Sequence, residues 1–277
     1  MQTGYISIPN AGNLPDNSTP SALCLILHGV GEHCERYDTV AAPLTGSGIM
    51  VFAHDHVGHG QSEGIRVDIK DFNIYVRDTI QHVDRITEHY PNLPVFLIGH
   101  SMGGTVAILA AMERPDQFTG MVLVAPAVVE NPETATTCKV FMARILAYLA
   151  PQFEIGKIEP KYISRDPKEV ERYATDPLVW HRGMKARWSV QTLEALKQLQ
   201  ENMSEIKVPF LVMQGDKDVL VESVGATLLM ERAQSKDKQA QIYPGYYHAL
   251  QFEPPQDAAI VLRDLTSWIV TRMKQAP

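Results

Sequence analysis

The chain of 277 residues has only three cysteines, Cys24, Cys34 and Cys138. They are odd in number and none has C-x-x-C spacing, which excludes a disulfide framework and a zinc ribbon. No run approaches the ~18 apolar residues of a membrane-spanning helix. Met1 to Asn10 lacks the basic start and apolar core of a signal peptide, so the expected compartment is cytoplasmic. Blocks of like charge are also missing, and with a net charge of -7 and a pI near 5.8 the chain offers no surface for nucleic acid. Internal repeats and low-complexity segments are absent. What remains is 45% hydrophobic and 21% charged, enough for one large α/β domain or a core domain carrying an insertion.

The most informative stretch is Ile98-Gly99-His100-Ser101-Met102-Gly103-Gly104. A short apolar strand, Val95 to Ile98, precedes it, and a helix-like run rich in Ala, Ile and Leu, Thr105 to Met112, follows. G-x-S-x-G between a strand and a helix is a nucleophile elbow, a turn so sharp that the serine hydroxyl stands clear of the backbone. Ser101 is the candidate nucleophile.

Strands are expected at Ser21 to Leu27, Ile49 to Ala53, Gly120 to Val124, Phe210 to Gln214 and Gln239 to Tyr243, alternating with helices at Asp71 to Tyr90, Glu222 to Arg232 and Gln256 to Met273. Such alternation predicts a mostly parallel sheet covered by helices on both faces, with ligands at the carboxyl ends of the strands. The loop His28-Gly29-Val30-Gly31-Glu32-His33 lies at such an end. Its turn can aim backbone N–H groups at one point, as an oxyanion hole requires, and Val30 and Met102 are the expected donors.

The alternation breaks after Pro126 and resumes at Val208, so residues 127–207 are expected to form a cap inserted in a single domain spanning 1–277. Thr137 to Leu149 is apolar over a face broader than one packing seam needs, with Lys139 and Arg144 its only charges. This reads as a lid lying on a membrane surface. Leu146, Leu149, Phe153, Ile155, Tyr173, Leu178, Val179, Trp180 and Trp188 are candidates to line an apolar tunnel, since burying an alkyl chain contributes ~0.8 kcal/mol per CH₂.

Serine needs an adjacent base, and the base an orienting acceptor. In the order serine, acid, histidine, His248 is the base: His181, the other histidine after Ser101, falls in the cap before any acid loop. The acid is Asp216 or Asp218, and the later position reaches further across the rim, which favours Asp218. Three histidines, His54, His56 and His59, follow another strand in the spacing H-x-H-x-x-H. This resembles the zinc motif of metallo-β-lactamases, but Gly58 stands where that family has its aspartate, and the glycines suit a turn whose histidines hydrogen-bond within the loop. No metal is expected.

Together HGVGEH, FAHDHVGHGQSEG, VFLIGHSMGG, NPETATT, VPFLVMQGDKD and YHAL resemble the monoacylglycerol lipase family of the α/β-hydrolase fold, from about Ala22 to about Met273. The resemblance implies hydrolysis of monoacylglycerols to fatty acid and glycerol, peripheral membrane association through the cap, and no cofactor. It implies the triad Ser101, Asp218 and His248, the donors Val30 and Met102, and a polar end for glycerol at Glu32, Arg36, His100 and Tyr173. With only about twenty residues before the Leu23 strand, the chain is expected to lack the family's opening strand. It also has Trp180, Arg187 and Val221 where mammalian members carry cysteine, and Gln251 where a histidine is common. The alternatives are a general carboxylesterase or lysophospholipase of the same fold, a non-catalytic lipid-binding protein, and a metallohydrolase built on the three histidines.

Overall fold

In a computed structural model, residues 19–130 and 137–275 are described, without the side chains of 137–139. Six strands form one parallel sheet: β1 (Ala22–Leu27), β2 (Ile49–Ala53), β3 (Val95–His100), β4 (Gly120–Val124), β7 (Phe210–Gly215) and β8 (Lys238–Tyr243), in the order β2-β1-β3-β4-β7-β8. β1, β3, β4 and β7 are largely apolar because a central parallel strand is buried on both faces, and β2, at the edge of the described sheet, is nearly as buried. Alternate residues divide between two cores. Leu23, Leu25, Leu97, Leu123 and Val212 face helices α2 (Asn73–His89), α3 (Met102–Glu113) and α7 (Val224–Arg232). Cys24, Ile26, Ile98, Val122 and Met213 face α1 (Asp38–Thr45) and α8 (Pro255–Met273).

The register Leu27↔Gly99 and His100↔Val124 brings the ends of β1, β3 and β4 to a common rim. Between β4 and β7 the chain leaves the sheet and builds α4 (Thr137–Leu149), α5 (Pro167–Thr175) and α6 (Ala186–Glu201). Two short strands, β5 (Glu154–Ile155) and β6 (Met184–Lys185), pair antiparallel in the same segment. α6 is more than a surface helix: Trp188, Ala195 and Leu199 enter the core beneath α2 and α3. Trp188 is therefore a core residue and not part of a tunnel wall. The expected lack of an opening strand falls on residues 1–18, outside the described residues. Among the described residues no helix is long and apolar enough to cross a membrane.

Candidate active site

Ser101 joins β3 to α3 with φ 55° and ψ -118°, a left-handed conformation that costs a residue with a side chain on the order of 1–3 kcal/mol. The surroundings enforce it. Ser101 N–H donates to the Val124 carbonyl at 3.1 Å, and the Ser101 carbonyl accepts from Gly104 and Ala127 at 2.9 and 3.0 Å. A Cβ on Gly103 would collide with the Leu27 carbonyl, and one on Gly99 with the Gly103 carbonyl, so both positions require glycine. α3 starts at Met102, three residues before the apolar run from Thr105, because the elbow leads straight into the first helical turn. The Met102 N–H is consequently a first-turn amide with no acceptor inside the helix. The loop after β1 passes beside it: a Cβ on Gly29 would stand 3.3 Å from Ser101 Cβ. Val30 is the next residue along that loop.

His248, in the loop after β8, is buried, and its Nδ1 donates to Asp218 Oδ2 at 2.8 Å. The Asp218 carboxylate is wholly buried in the turn after β7. It also accepts from Gln214 Nε2 at 3.0 Å and from the N–H groups of Leu220 and Val221 at 2.8 and 3.2 Å. Burial by itself raises a carboxyl pKa, but the charge of His248 and these donors outweigh it and hold Asp218 below the usual range. For His248 burial disfavours the charged ring, yet Asp218 reverses the balance and raises its pKa above 6.5. Asp216 is exposed and accepts the Gly245 N–H at 2.6 Å, a turn contact remote from the imidazole. No hydrogen bond links the Ser101 hydroxyl to His248, a bond that in substrate-free sites often tightens only on binding.

A buried polar group adjoins the pair. The His100 ring lies 4.8 Å from that of His248, centroid to centroid. Tyr37 hydroxyl donates to Glu32 Oε2 at 3.0 Å and lies 2.8 Å from His100 Nδ1. With its one hydrogen committed to the carboxylate, the tyrosine accepts from His100, which fixes the Nδ1–H tautomer. Burial, opposed by Glu32, brings the His100 pKa down to about 4, so the ring is neutral. Arg36, also buried, sits between the rings of Tyr173 and Phe252 at 5.1 and 5.0 Å, with Glu32 at 3.7 Å and Asp176 at 3.9 Å. Its three guanidinium nitrogens have no hydrogen-bond partner, an arrangement that suits a polar ligand.

The chain matches the model of the family described as serine aminopeptidase, S33, over residues 18–255. It is 47% identical to monoglyceride lipase of Mus musculus over 260 residues, covering 94% of this chain and 86% of the relative. It is also 47% identical to that of Homo sapiens over 258 residues, covering 93% and 85%. The crystal structure of Paleococcus ferrophilus monoacylglycerol lipase superposes with a TM-score of 0.86 at 28% identity, covering 98% of this chain and 100% of that one. The chain belongs to the monoglyceride lipase family. It is a serine ester hydrolase of the α/β-hydrolase fold.

Within that family frame the inserted segment departs from several sequence expectations. Trp180 is half-buried and docks on the loop after β1, its N–H donating to the Gly31 carbonyl at 2.8 Å. Leu146 and Leu178 are half-buried. Leu149, expected to contact substrate, is 72% exposed, and Phe153 is 54% exposed. Leu149 faces outward because α4 turns its other side, at Ala143, to the protein. Arg187 pairs with the buried carboxylate of Asp68 through two hydrogen bonds. His54, His56 and His59 are buried behind the β1 loop. His54 Nδ1 lies 3.0 Å from His82 Nδ1, and His59 Nδ1 donates to the Val57 carbonyl at 3.2 Å. Among the described residues no three histidine, cysteine or acidic side chains are arranged to hold a metal ion. Tyr37, Gln214, His33 and Asp176 went unnoticed in the sequence. The 2.9 Å His33–Asp176 bond and the Tyr37–His100 contact join residues far apart in the chain, whereas Gln214 meets Asp218 only four residues on.

Proposed function

We propose that this chain hydrolyses monoacylglycerols to a fatty acid and glycerol through an acyl-enzyme on Ser101. The observation that carries the reading is the buried, multiply hydrogen-bonded Asp218 holding His248 by Nδ1 beside the strained Ser101 turn. With Nδ1 engaged, Nε2 is the nitrogen left to act as base. It takes the Ser101 proton as Oγ bonds to the ester carbonyl carbon. The N–H groups of Val30 and Met102 hold the resulting oxyanion, each donor being worth ~3 kcal/mol of barrier. Collapse breaks the bond to the glycerol oxygen, which leaves with the proton from His248. Water, deprotonated by the same imidazole, then attacks the acyl carbon, and Ser101 regains its proton as the fatty acid departs.

The names of the relatives and the unpaired Arg36 guanidinium support Glu32, Arg36, His100 and Tyr173 as the glycerol end. In this reading the molecule is one domain with residues 127–207 as its cap, and Leu146, Leu178 and Trp180 contact the acyl chain. Phe141, Met142, Ile145, Tyr148, Leu149 and Phe153 form an exposed apolar surface with Arg144 among them. That composition suits shallow insertion at a lipid headgroup boundary. The enzyme is thus peripheral on a cytoplasmic membrane face and takes its substrate from the bilayer. The reading is tested by glycerol release from a long-chain monoacylglycerol in micelles, with lysophosphatidylcholine and a short-chain ester in parallel. Rapid monoacylglycerol turnover that disappears in Ser101→Ala is the expected result. Turnover of the other two esters only would overturn the substrate assignment.

A further inference from the structure

His28, the first residue after β1, is fully buried and takes no part in the reaction above, yet both of its ring nitrogens are committed. Nδ1 lies 2.7 Å from the Gly29 carbonyl oxygen, and Nε2 lies 3.0 Å from the backbone nitrogen of His56. A carbonyl oxygen only accepts and an amide N–H only donates. Nδ1 therefore carries the hydrogen and Nε2 presents its lone pair, so the ring is the neutral Nδ1–H tautomer. Burial, which outweighs the attraction of Asp55, moves its pKa down in the same sense. The His56 amide is itself held firmly. The neighbouring Asp55 carboxylate accepts from Cys34 N–H at 2.8 Å and Gln61 N–H at 2.6 Å, and Ser62 hydroxyl donates to the Asp55 carbonyl at 2.6 Å.

The Gly29 carbonyl and the Val30 N–H are the two ends of one peptide group. That group is planar and trans, so they point in opposite directions from one rigid plate, and whatever fixes the oxygen fixes the hydrogen. The carbonyl also accepts from Glu32 N–H, but at 3.4 Å, a long bond. The short bond from His28 is the stronger restraint, and donation to the carbonyl also polarises the N–H at the far end.

We propose that His28 is a positioning residue for the oxyanion hole: its Nδ1–H clamps the Gly29 carbonyl so that the Val30 N–H faces the oxygen of the carbonyl attacked by Ser101, with the His56 amide holding the imidazole in that tautomer. The inference rests on the reading above, in which Val30 is an oxyanion donor. It also gives the His-rich block from His54 to Ser62 a role that needs no metal.

Side-chain amides separate the two bonds. Asparagine places an N–H where Nδ1 stands and loses the contact to His56. Glutamine places an acceptor where Nε2 stands and loses the donor to Gly29. The assay measures kcat and KM for a monoacylglycerol, affinity for a trifluoromethyl ketone that forms a tetrahedral oxyanion, and Tm, in wild type, H28N, H28Q, H28A and S101A. H28Q and H28A are expected to lose about tenfold to a hundredfold in kcat with KM within about twofold, while H28N stays within about threefold of wild type. Ketone affinity should fall in step with kcat, whereas Tm falls in all three His28 variants. Equal kcat in H28N and H28Q, or losses that follow Tm, would overturn the proposal. Where H28A and H28Q do not fold, nitrogen-15 spectra of the wild-type ring decide it: an Nε2–H tautomer or an imidazolium at pH 7 refutes the clamp, and the Nδ1–H tautomer supports it. Activity surviving in S101A would instead overturn the underlying mechanism, while an inactive S101A beside a fully active H28Q removes only the clamp.

Discussion

At the sheet rim Ser101 is 8% exposed and His248 3%, whereas on α4 of the inserted segment Phe141 is 63% exposed and Tyr148 86%. The rim buries polar groups, and around the base it satisfies them fully, as with Asp218 and its four donors, while the Arg36 guanidinium stays unpaired. On α4 the reverse holds, and large apolar groups stand exposed to water. Polar groups out of water hold position because each missing hydrogen bond is costly. Apolar groups in water cost free energy that a lipid surface would return. One region fixes atoms, and in the proposed reading the other meets a lipid surface.

If that division is right, damage at the rim stops turnover of every ester, long or short. Ser101→Ala and His248→Ala are expected to lower kcat about 10⁴-fold or more and Asp218→Asn about 10⁴-fold, with double variants little worse than single ones, as steady-state kinetics on a soluble short-chain ester will show. Loss confined to the lipid substrate would break the comparison.

Acid should act on the rim in two ways. His248 must be neutral to accept a proton and its pKa is raised, so kcat/KM falls as pH drops through a value above 6.5. Stability follows other histidines. Burial holds His54 and His59 at about 3, and His82 and His100 at about 4. Below pH 6.5 the unfolded chain takes up protons that these rings refuse in the fold. Their contribution is therefore complete above pH 6.5 and lost as pH falls toward 4, by ~1.4 kcal/mol per pH unit for each ring. His248, with its raised pKa, contributes with the opposite sign but is outnumbered. Urea titrations at pH 7, 6 and 5 will show falling midpoints, and constant midpoints would contradict the neutral cluster.

Smaller effects probe where the two regions join. Arg187→Ala strands the buried Asp68 carboxylate and should cost about 1–3 kcal/mol, read as a lower Tm with kcat for a short ester nearly unchanged. Replacing Phe141, Tyr148 and Leu149 by serine removes about 1–2 kcal/mol of insertion each. Partitioning to anionic vesicles should fall while the rate on a soluble ester stays constant. A parallel fall of both would show that α4 supports the site itself.

The succession of strands and the turn at Ser101 were legible in the chain, as were the positions of Asp218 and His248 in the loops after β7 and β8. Residues 120–124 and 137–149 form the strand and helix expected of them. Less legible was the segment from Pro151 to Glu201. α5 and α6 were not foreseen there: Arg187, Gln191, Glu194, Gln198 and Glu201 line one face of α6, but the body that covers Trp188 on the other is formed by distant residues. Leu149 and Phe153 looked like tunnel residues because apolar character says that a side chain avoids water, not which surface will cover it.

Read alone, the chain fixes whatever a few adjacent residues can enforce. The Ser101 turn exists because glycines at 99 and 103 alone fit against the neighbouring backbone, and the parallel sheet follows from apolar runs separated by helices. Only the fold shows which of Asp216 and Asp218 bonds to His248, which tautomers suit His28 and His100, and which face of α4 turns outward. These depend on hydrogen-bond partners and burial contributed from tens of residues away. A sequence lists the groups able to pair, but only the fold brings each donor within reach of its acceptor.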